Sequence, residues 1–226
     1  MGLSGYDTLI ASLIPGYTSL ARLSVSLLAA SPMAGVQGAS VLVAGCGSGA
    51  ELLAARQLRP DWHLTALDPS EDMLAMAREK LQLHPSIPDG QGPIQWVQGT
   101  VETLSGDPVF DGAMAVLVLQ GLPDDGSKRR FLSSLSQSLR PGAQVVLVDQ
   151  MLPERSSIDQ QLITARQVFQ RTETAVPVAE PDEILGNVYP LSLSRLTGLL
   201  EVTGFSDPCP VFRALDYEGF LVQRLP

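Results

Sequence analysis

The sequence predicts a doubly wound α/β domain, a parallel sheet with helices on both faces. Three observations carry this expectation. The run Val41-Leu42-Val43-Ala44 is apolar without helical spacing and reads as a buried parallel strand. Gly45-Cys46-Gly47-Ser48-Gly49 follows at once, a tight turn into a helix that lets the backbone approach a ligand. Strand then helix recurs down the chain, the pattern of a sheet built with right-handed crossovers. The 226 residues, 45% hydrophobic and 17% charged, fit a single domain with a substantial core.

The elements follow in order. Residues 3–30 read as two helices broken at Ile14-Pro15-Gly16-Tyr17, a cap before the core. A linker with Pro32, Gly35 and Gly38 leads to the first strand at 41–45, and a helix at 49–58 stops before Pro60. The second strand, 63–67, ends at Asp68, and Ser70 is placed to cap a helix that runs to about residue 83 with Glu71 and Asp72 in its first turn. After a Pro/Gly-rich loop, strands are expected at 94–98 and 112–119. A helix over 127–139 carries Phe131, Leu132, Leu135 and Leu139 at helical spacing and ends at Arg140-Pro141-Gly142, before a fifth strand at 144–149. Residues 153–187 break the alternation with an amphipathic segment at 159–172 and a Pro/Glu-rich stretch at 176–182. The core resumes with a helix at 192–202, a stop at Gly204, and strands at 210–214 and 219–222. The expected division is a cap at 1–38, a core at 39–152, a lid insertion at 153–190 and core completion at 191–226.

Several function classes are disfavoured by composition. A net charge of −9 argues against nucleic acid as a partner, since such binding draws on Lys and Arg neutralising phosphates. Lys128-Arg129-Arg130, the one dense basic cluster, reads as a solvated helix face. The apolar stretch at 20–30 is interrupted by Arg22, Ser24 and Ser26 and falls short of the roughly 20 residues that span a bilayer. No secretory signal pattern is seen, so a cytoplasmic location is the expectation. Cys46 and Cys209 make neither a disulfide framework nor a multi-cysteine zinc site, and His63 and His84 are isolated. Asp124 and Asp125 read as capping residues of the helix at 127–139, so no metal is expected.

The glycine turn by itself satisfies both the GxGxG of S-adenosylmethionine (SAM) methyltransferases and the GxGxxG/A of dinucleotide-binding enzymes. The pieces that decide are Asp68 at the end of strand two, Gly99-Thr100-Val101, Phe110-Asp111, Leu139-Arg140-Pro141-Gly142, and Gly204-Phe205 before two closing strands. With these, the chain resembles the class I SAM-dependent methyltransferases over essentially its whole length. Its cap turn, its insertion and Leu119-Gln120 are similar to the carboxy-SAM synthase-like branch. The resemblance implies a Rossmann-like seven-stranded sheet, mostly parallel, with an antiparallel last strand. It implies SAM as cofactor and methyl transfer to a small-molecule acceptor. Alternatives are a non-catalytic SAM-binding protein and a carboxy-SAM synthase-like enzyme. The first is motivated by Val43 and Thr100, which replace aspartates common in the family. A dehydrogenase stands further off, because no Tyr-x-x-x-Lys pair is present.

The expected site residues follow. Gly45, Cys46, Gly47 and Gly49 line the cofactor's approach, and Asp68, followed by Pro69, is placed to accept the ribose hydroxyls. By resemblance Thr100 and Val101 border the adenine, Tyr17 of the cap contacts the cofactor, and Val116 stands where the branch has an asparagine. The branch's arginine falls at Leu199; Arg195, one turn earlier on the same face, is weighed as a substitute, and ordinary SAM rather than carboxy-SAM is expected. Gln120, Arg166, Phe169 and Tyr189 are candidates to face the acceptor from the lid; a homodimer surface is the other use of such residues. Asp149, at the carboxyl end of strand five, is the candidate general base. Leu119-Gln120-Gly121-Leu122 stands where base-methylating enzymes carry Asn/Asp-Pro-Pro-Tyr, which argues against that chemistry.

Overall fold

The computed structural model describes residues 3–84, 92–104, 106–152, 157–172 and 187–226. Helices α1 (Leu3–Leu13) and α2 (Tyr17–Ala29) form the cap, divided where Gly16 adopts φ 81°. The core then alternates through β1 (Ser40–Ala44), α3 (Ala50–Leu58), β2 (His63–Asp68), α4 (Glu71–Leu83), β3 (Ile94–Gln98), β4 (Phe110–Val116), α5 (Ser127–Ser138) and β5 (Leu139–Gln150). Helices α6 (Asp159–Thr172) and α7 (Leu193–Val202) precede β6 (Cys209–Ala214) and β7 (Tyr217–Gln223).

The seven strands lie in the order β3-β2-β1-β4-β5-β7-β6. The first five are parallel, and β7 runs antiparallel to both neighbours. Chain direction across the sheet reverses between β1 and β4, so their carboxyl ends flank the crevice in which open α/β sheets bind ligands. Period-two alternation divides the core between the faces. Leu42 and Ala44 join α5 and α7 through Phe131, Leu132, Leu135 and Leu199. Val41 and Val43 join α2, α3 and α4 through Val25, Leu28, Leu52 and Leu74. Val43 is thus a core residue with 2% exposure.

Caps behave as their chemistry requires. Ser70 Oγ accepts from Met73 N at 3.3 Å, satisfying an orphan amide of α4. At α5 the expectation is corrected: Gly126, at φ 103°, is the N-cap. Asp125 instead accepts from Ser127 N and Oγ at 3.0 and 2.7 Å, and Asp124 turns away to Arg195 at 3.0 Å.

Two strand boundaries also differ from expectation. β4 stops at Val116 rather than reaching Leu119, because Leu117 takes a left-handed conformation (φ 61°) and the chain enters a short 3-10 turn at Leu119–Gly121. β5 begins directly after α5, with Leu139 paired to Phe110 before a register shift. Arg140-Pro141-Gly142 therefore lies inside the strand, where Gly142 N donates to Arg224 O at 2.9 Å. The Pro/Glu-rich stretch expected at 176–182 and the loop at 85–91 lie outside the described residues. Among the described residues no helix is long and apolar enough to cross a membrane.

Gly49 shows how tightly the turn is set into this frame. Its φ is 87°, and an added Cβ would stand 2.8 Å from the Cβ of Ala77 on α4. We expect Gly49→Ala to destabilise the fold by about 2–4 kcal/mol, combining overpacking with left-handed strain. Urea unfolding measures it, and an unchanged midpoint would mean that α4 yields freely.

Candidate active site

The glycine turn is suspended from the end of β2. Gly45 N and Cys46 N both donate to Leu67 O, at 2.8 and 3.0 Å. The Asp68 carboxylate then accepts Gly47 N through Oδ2 and Ser70 N through Oδ1, each at 2.9 Å. Its main-chain oxygen accepts Gly99 N at 3.0 Å, which brings the loop after β3 to the same point. Each carboxylate oxygen keeps a further acceptor direction.

The three glycines divide the work of the turn. At Gly45 a Cβ would lie 2.6 Å from Val118 Cγ2, so the loop after β4 closes directly on the turn. At Gly47 nothing lies within 4 Å of the same position, so the space beside the turn is open there. Cys46 is buried at 2% exposure, and its thiol is pushed up to about 12 by burial, reinforced by Asp68 and Glu51. It is a neutral packing group, unable to act as a nucleophile at ordinary pH.

The other expected cofactor residues are placed as follows. Pro69 is exposed, and its oxygen accepts Gln98 Nε2 at 3.4 Å. Thr100 is exposed and precedes a 3-10 turn that opens with buried Val101. Val116 packs on the α2–α4 side of the sheet. Tyr17 is half-buried between that core and a small cluster of Ile10, Leu13, Ile14 and Tyr217 under the cap.

A polar clasp over the turn had no signal in local pattern. Asp7 on α1 accepts Ser48 Oγ at 2.6 Å and pairs with Lys80 on α4 at 2.5 Å, while Lys80 also donates to Ser48 Oγ at 3.0 Å. Beneath it, Glu51 is 6% exposed in the first turn of α3. Burial pushes its carboxyl up to about 7, with Asp7 adding to the rise and Lys80 opposing it.

On the acceptor side the structure redistributes the expected roles. Gln120 is 3% exposed and turned inward: its amide donates to Asp149 Oδ1 at 2.9 Å and its Oε1 accepts Gln150 N at 2.8 Å. Arg166 is held by Asp216 at 2.7 Å, and Gln150 Nε2 donates to the same carboxylate at 2.6 Å. Phe169 is half-buried on α6, and Tyr189 is 38% exposed with its amide on Gln120 O at 2.7 Å. Asp149 is buried at 5% exposure with Oδ2 unpartnered among the described residues, and burial raises its carboxyl to about 7.

One expectation about the basic residues is corrected. Lys128 is fully buried, not part of a solvated face, because it shares the helical phase of Phe131, Leu132 and Leu135; only Arg129 and Arg130 are exposed. That i, i+3, i+4, i+7 phase was the signal available in the sequence. Arg195, weighed as a substitute cation for a carboxylated cofactor, instead makes a two-pronged surface pair with Asp124 at 3.0 Å. Among the described residues no group of three or more His, Cys, Asp or Glu side chains is arranged to hold a metal.

Comparison with known proteins places this geometry. Residues 41–142 match the family model described as a methyltransferase domain. Over this stretch the chain is similar to the class I SAM-dependent methyltransferases. The carboxy-S-adenosyl-L-methionine synthase of Campylobacter hominis is 23% identical over 225 residues, covering 98% of this chain and 91% of that protein. The trans-aconitate 2-methyltransferase of Deinococcus radiodurans is 29% identical over 203 residues, covering 79% and 72%. Among solved structures, the magnesium protoporphyrin IX methyltransferase of Synechocystis PCC 6803 with bound SAM superposes with a TM-score of 0.62 at 18% identity, over 92% of this chain and 80% of that one. This last likeness is one of fold. The matched part of the methyltransferase domain runs from β1 into β5 and so contains the turn, Asp68, Thr100 and Val116.

The Glu51 carboxyl gives the fold a pH-dependent stability. Its folded value of about 7 lies above its ordinary value of 4.5, so the folded state holds the proton more tightly. The associated stability is full below about pH 4.5 and is lost as pH rises through 7. We expect Glu51→Gln to be more stable than the native protein by about 1–3 kcal/mol at pH 8, and near neutral at pH 4.5. Urea midpoints at the two pH values check this; a variant less stable at pH 8 would show that the charged carboxylate is well compensated.

Proposed function

We propose that this chain transfers the methyl group of SAM to a small-molecule acceptor held above the carboxyl ends of β4 and β5. The observation that carries the reading is the Asp68 carboxylate, fixed by two backbone amides beside a glycine turn that is open at Gly47. In this reading Asp68 accepts the ribose hydroxyls. Thr100 and Val101 border the adenine, the backbone of residues 45–49 approaches the methionine portion, and Tyr17 and Val116 stand near the sulfonium. With Val43 committed to the core, the cofactor's ammonium is left to main-chain carbonyls near Gly45.

The fit is chemical as well as spatial. A carboxylate oriented by amides suits a diol, since both hydroxyls can donate to it without displacing its existing bonds. The cofactor supplies a methyl group already activated on a sulfonium. What remains for the chain is to align the acceptor in line with that methyl and to exclude water. The cap and the insertion, whose returning end lies against Gln120 O, are the segments positioned to do so. A base is needed only for an acceptor that arrives protonated, and Asp149 Oδ2 is then the acceptor-side carboxylate oxygen left without a protein partner among the described residues. That two relatives are named for trans-aconitate and magnesium protoporphyrin IX supports a small-molecule acceptor.

Ordinary SAM is the form we expect at this site, although one relative is named for carboxy-SAM. A second buried carboxylate requires a paired cation or strong donors. Leu199 is 2% exposed in the core and Arg195 is committed to Asp124 at the surface, so neither position offers one. Calorimetry with both ligands decides between them: we expect carboxy-SAM to bind no better than SAM, and a tenfold preference for it, about 1.4 kcal/mol, would reverse the assignment. The ribose role is tested separately. Asp68→Ala should weaken SAM binding by about 1.5–3 kcal/mol while the circular dichroism spectrum stays native. Unaltered affinity would place the ribose elsewhere.

A further inference from the structure

Lys128 is the largest anomaly left by the site. It is 0% exposed on α5, among Leu119, Leu147, Leu196 and Phe220 around a small cavity of about 10 Å³, the room of one water. Its ammonium donates to the carbonyl oxygens of Leu119 and, at 2.7 Å, Tyr189. Those carbonyls belong to segments far apart in the chain: the turn that leaves β4, and the returning end of the insertion. Asp149 lines the same cavity and supplies opposite charge.

Stability alone does not account for this arrangement. A buried ammonium costs several kcal/mol of desolvation, and an apolar side chain of similar volume is often as stable or more so. What an apolar residue cannot do is bond two carbonyls at once. Both segments also have further ties at the same place: Tyr189 N donates to Gln120 O, Gln120 N to Asp149, and Leu152 N to Leu191 O at 2.8 Å. The ammonium sits where these ties converge.

We propose that Lys128 is the positioning residue of the acceptor wall, its buried ammonium stapling the returning end of the insertion to the turn after β4. The inference rests on the acceptor crevice proposed above. It assigns the fixed geometry of Gln120 and Tyr189 to a side chain that touches neither cofactor nor acceptor. The neck of the insertion is held from within the core, while Arg166 on its helix α6 pairs with Asp216 nearer solvent.

Hydrogen–deuterium exchange on the full chain, with and without S-adenosylhomocysteine, tests this. In Lys128→Met the amides of Gln120 and Tyr189 should exchange at least tenfold faster. Those of β1 and α3 should change less than twofold, and S-adenosylhomocysteine affinity should stay within threefold. Because the single variant leaves Asp149 facing an apolar side chain, Lys128→Met/Asp149→Asn is the companion: we expect it to recover the lost urea midpoint while Tyr189 stays unprotected. Unchanged protection at Tyr189 overturns the proposal, as does equal loss across the whole sheet, recovery of protection in the double variant, or failure of both variants to fold. A native protein that does not bind S-adenosylhomocysteine would instead sink the cofactor reading, leaving the exchange result to judge the staple alone.

Discussion

The structure depends most on one residue, Asp68, which is asked to hold three loops together. Its carboxylate binds the turn after β1 and the first turn of α4, and its carbonyl binds the loop after β3. The side chain is only 7% exposed, yet its charge is met by amides at the start of a helix, where the peptide dipoles favour a negative group. Folding therefore builds the binding surface before any ligand arrives. The same bonds that close the sheet's upper edge orient the carboxylate that we propose accepts the ribose.

Two titratable neighbours of this charge are held towards their neutral forms. Burial favours the protonated forms of Cys46 and Glu51, while the pair of Asp7 and Lys80 lies over the turn. The chain's net charge of −9 gives it a field that attracts positive ligands generally.

Much of this was legible in the sequence, for local reasons. β3 at Ile94–Gln98 and α6 at Asp159–Thr172 fall where alternation, periodicity and flanking breakers placed them, and Ser70 caps α4 as its position predicted. Errors arose where tertiary contacts overrode local signals. A leucine in the left-handed region at 117 ends β4, and nothing in leucine's chemistry announces that. The run Lys128-Arg129-Arg130 looked solvated because adjacent like charges outweighed the helical phase that buries the first of them. Asp124 and Arg195 are 71 residues apart, and the Asp7 to Ser48 contact spans 41, so neither pairing has a local trace. The site's backbone could be read from glycines and one aspartate; its side-chain wiring required the fold.

The neck of the insertion has a consequence for how such a protein changes its repertoire. Met151 and Leu191 form a bridge side by side, so the chain departs from the sheet and comes back at nearly the same point. For a loop with adjoining ends, the entropy of closure grows only logarithmically with its length: doubling it costs about 0.6 kcal/mol. The intervening segment is therefore an exchangeable module. Its length and composition can drift, or be replaced by recombination at the bridge, with little effect on the cofactor half of the molecule.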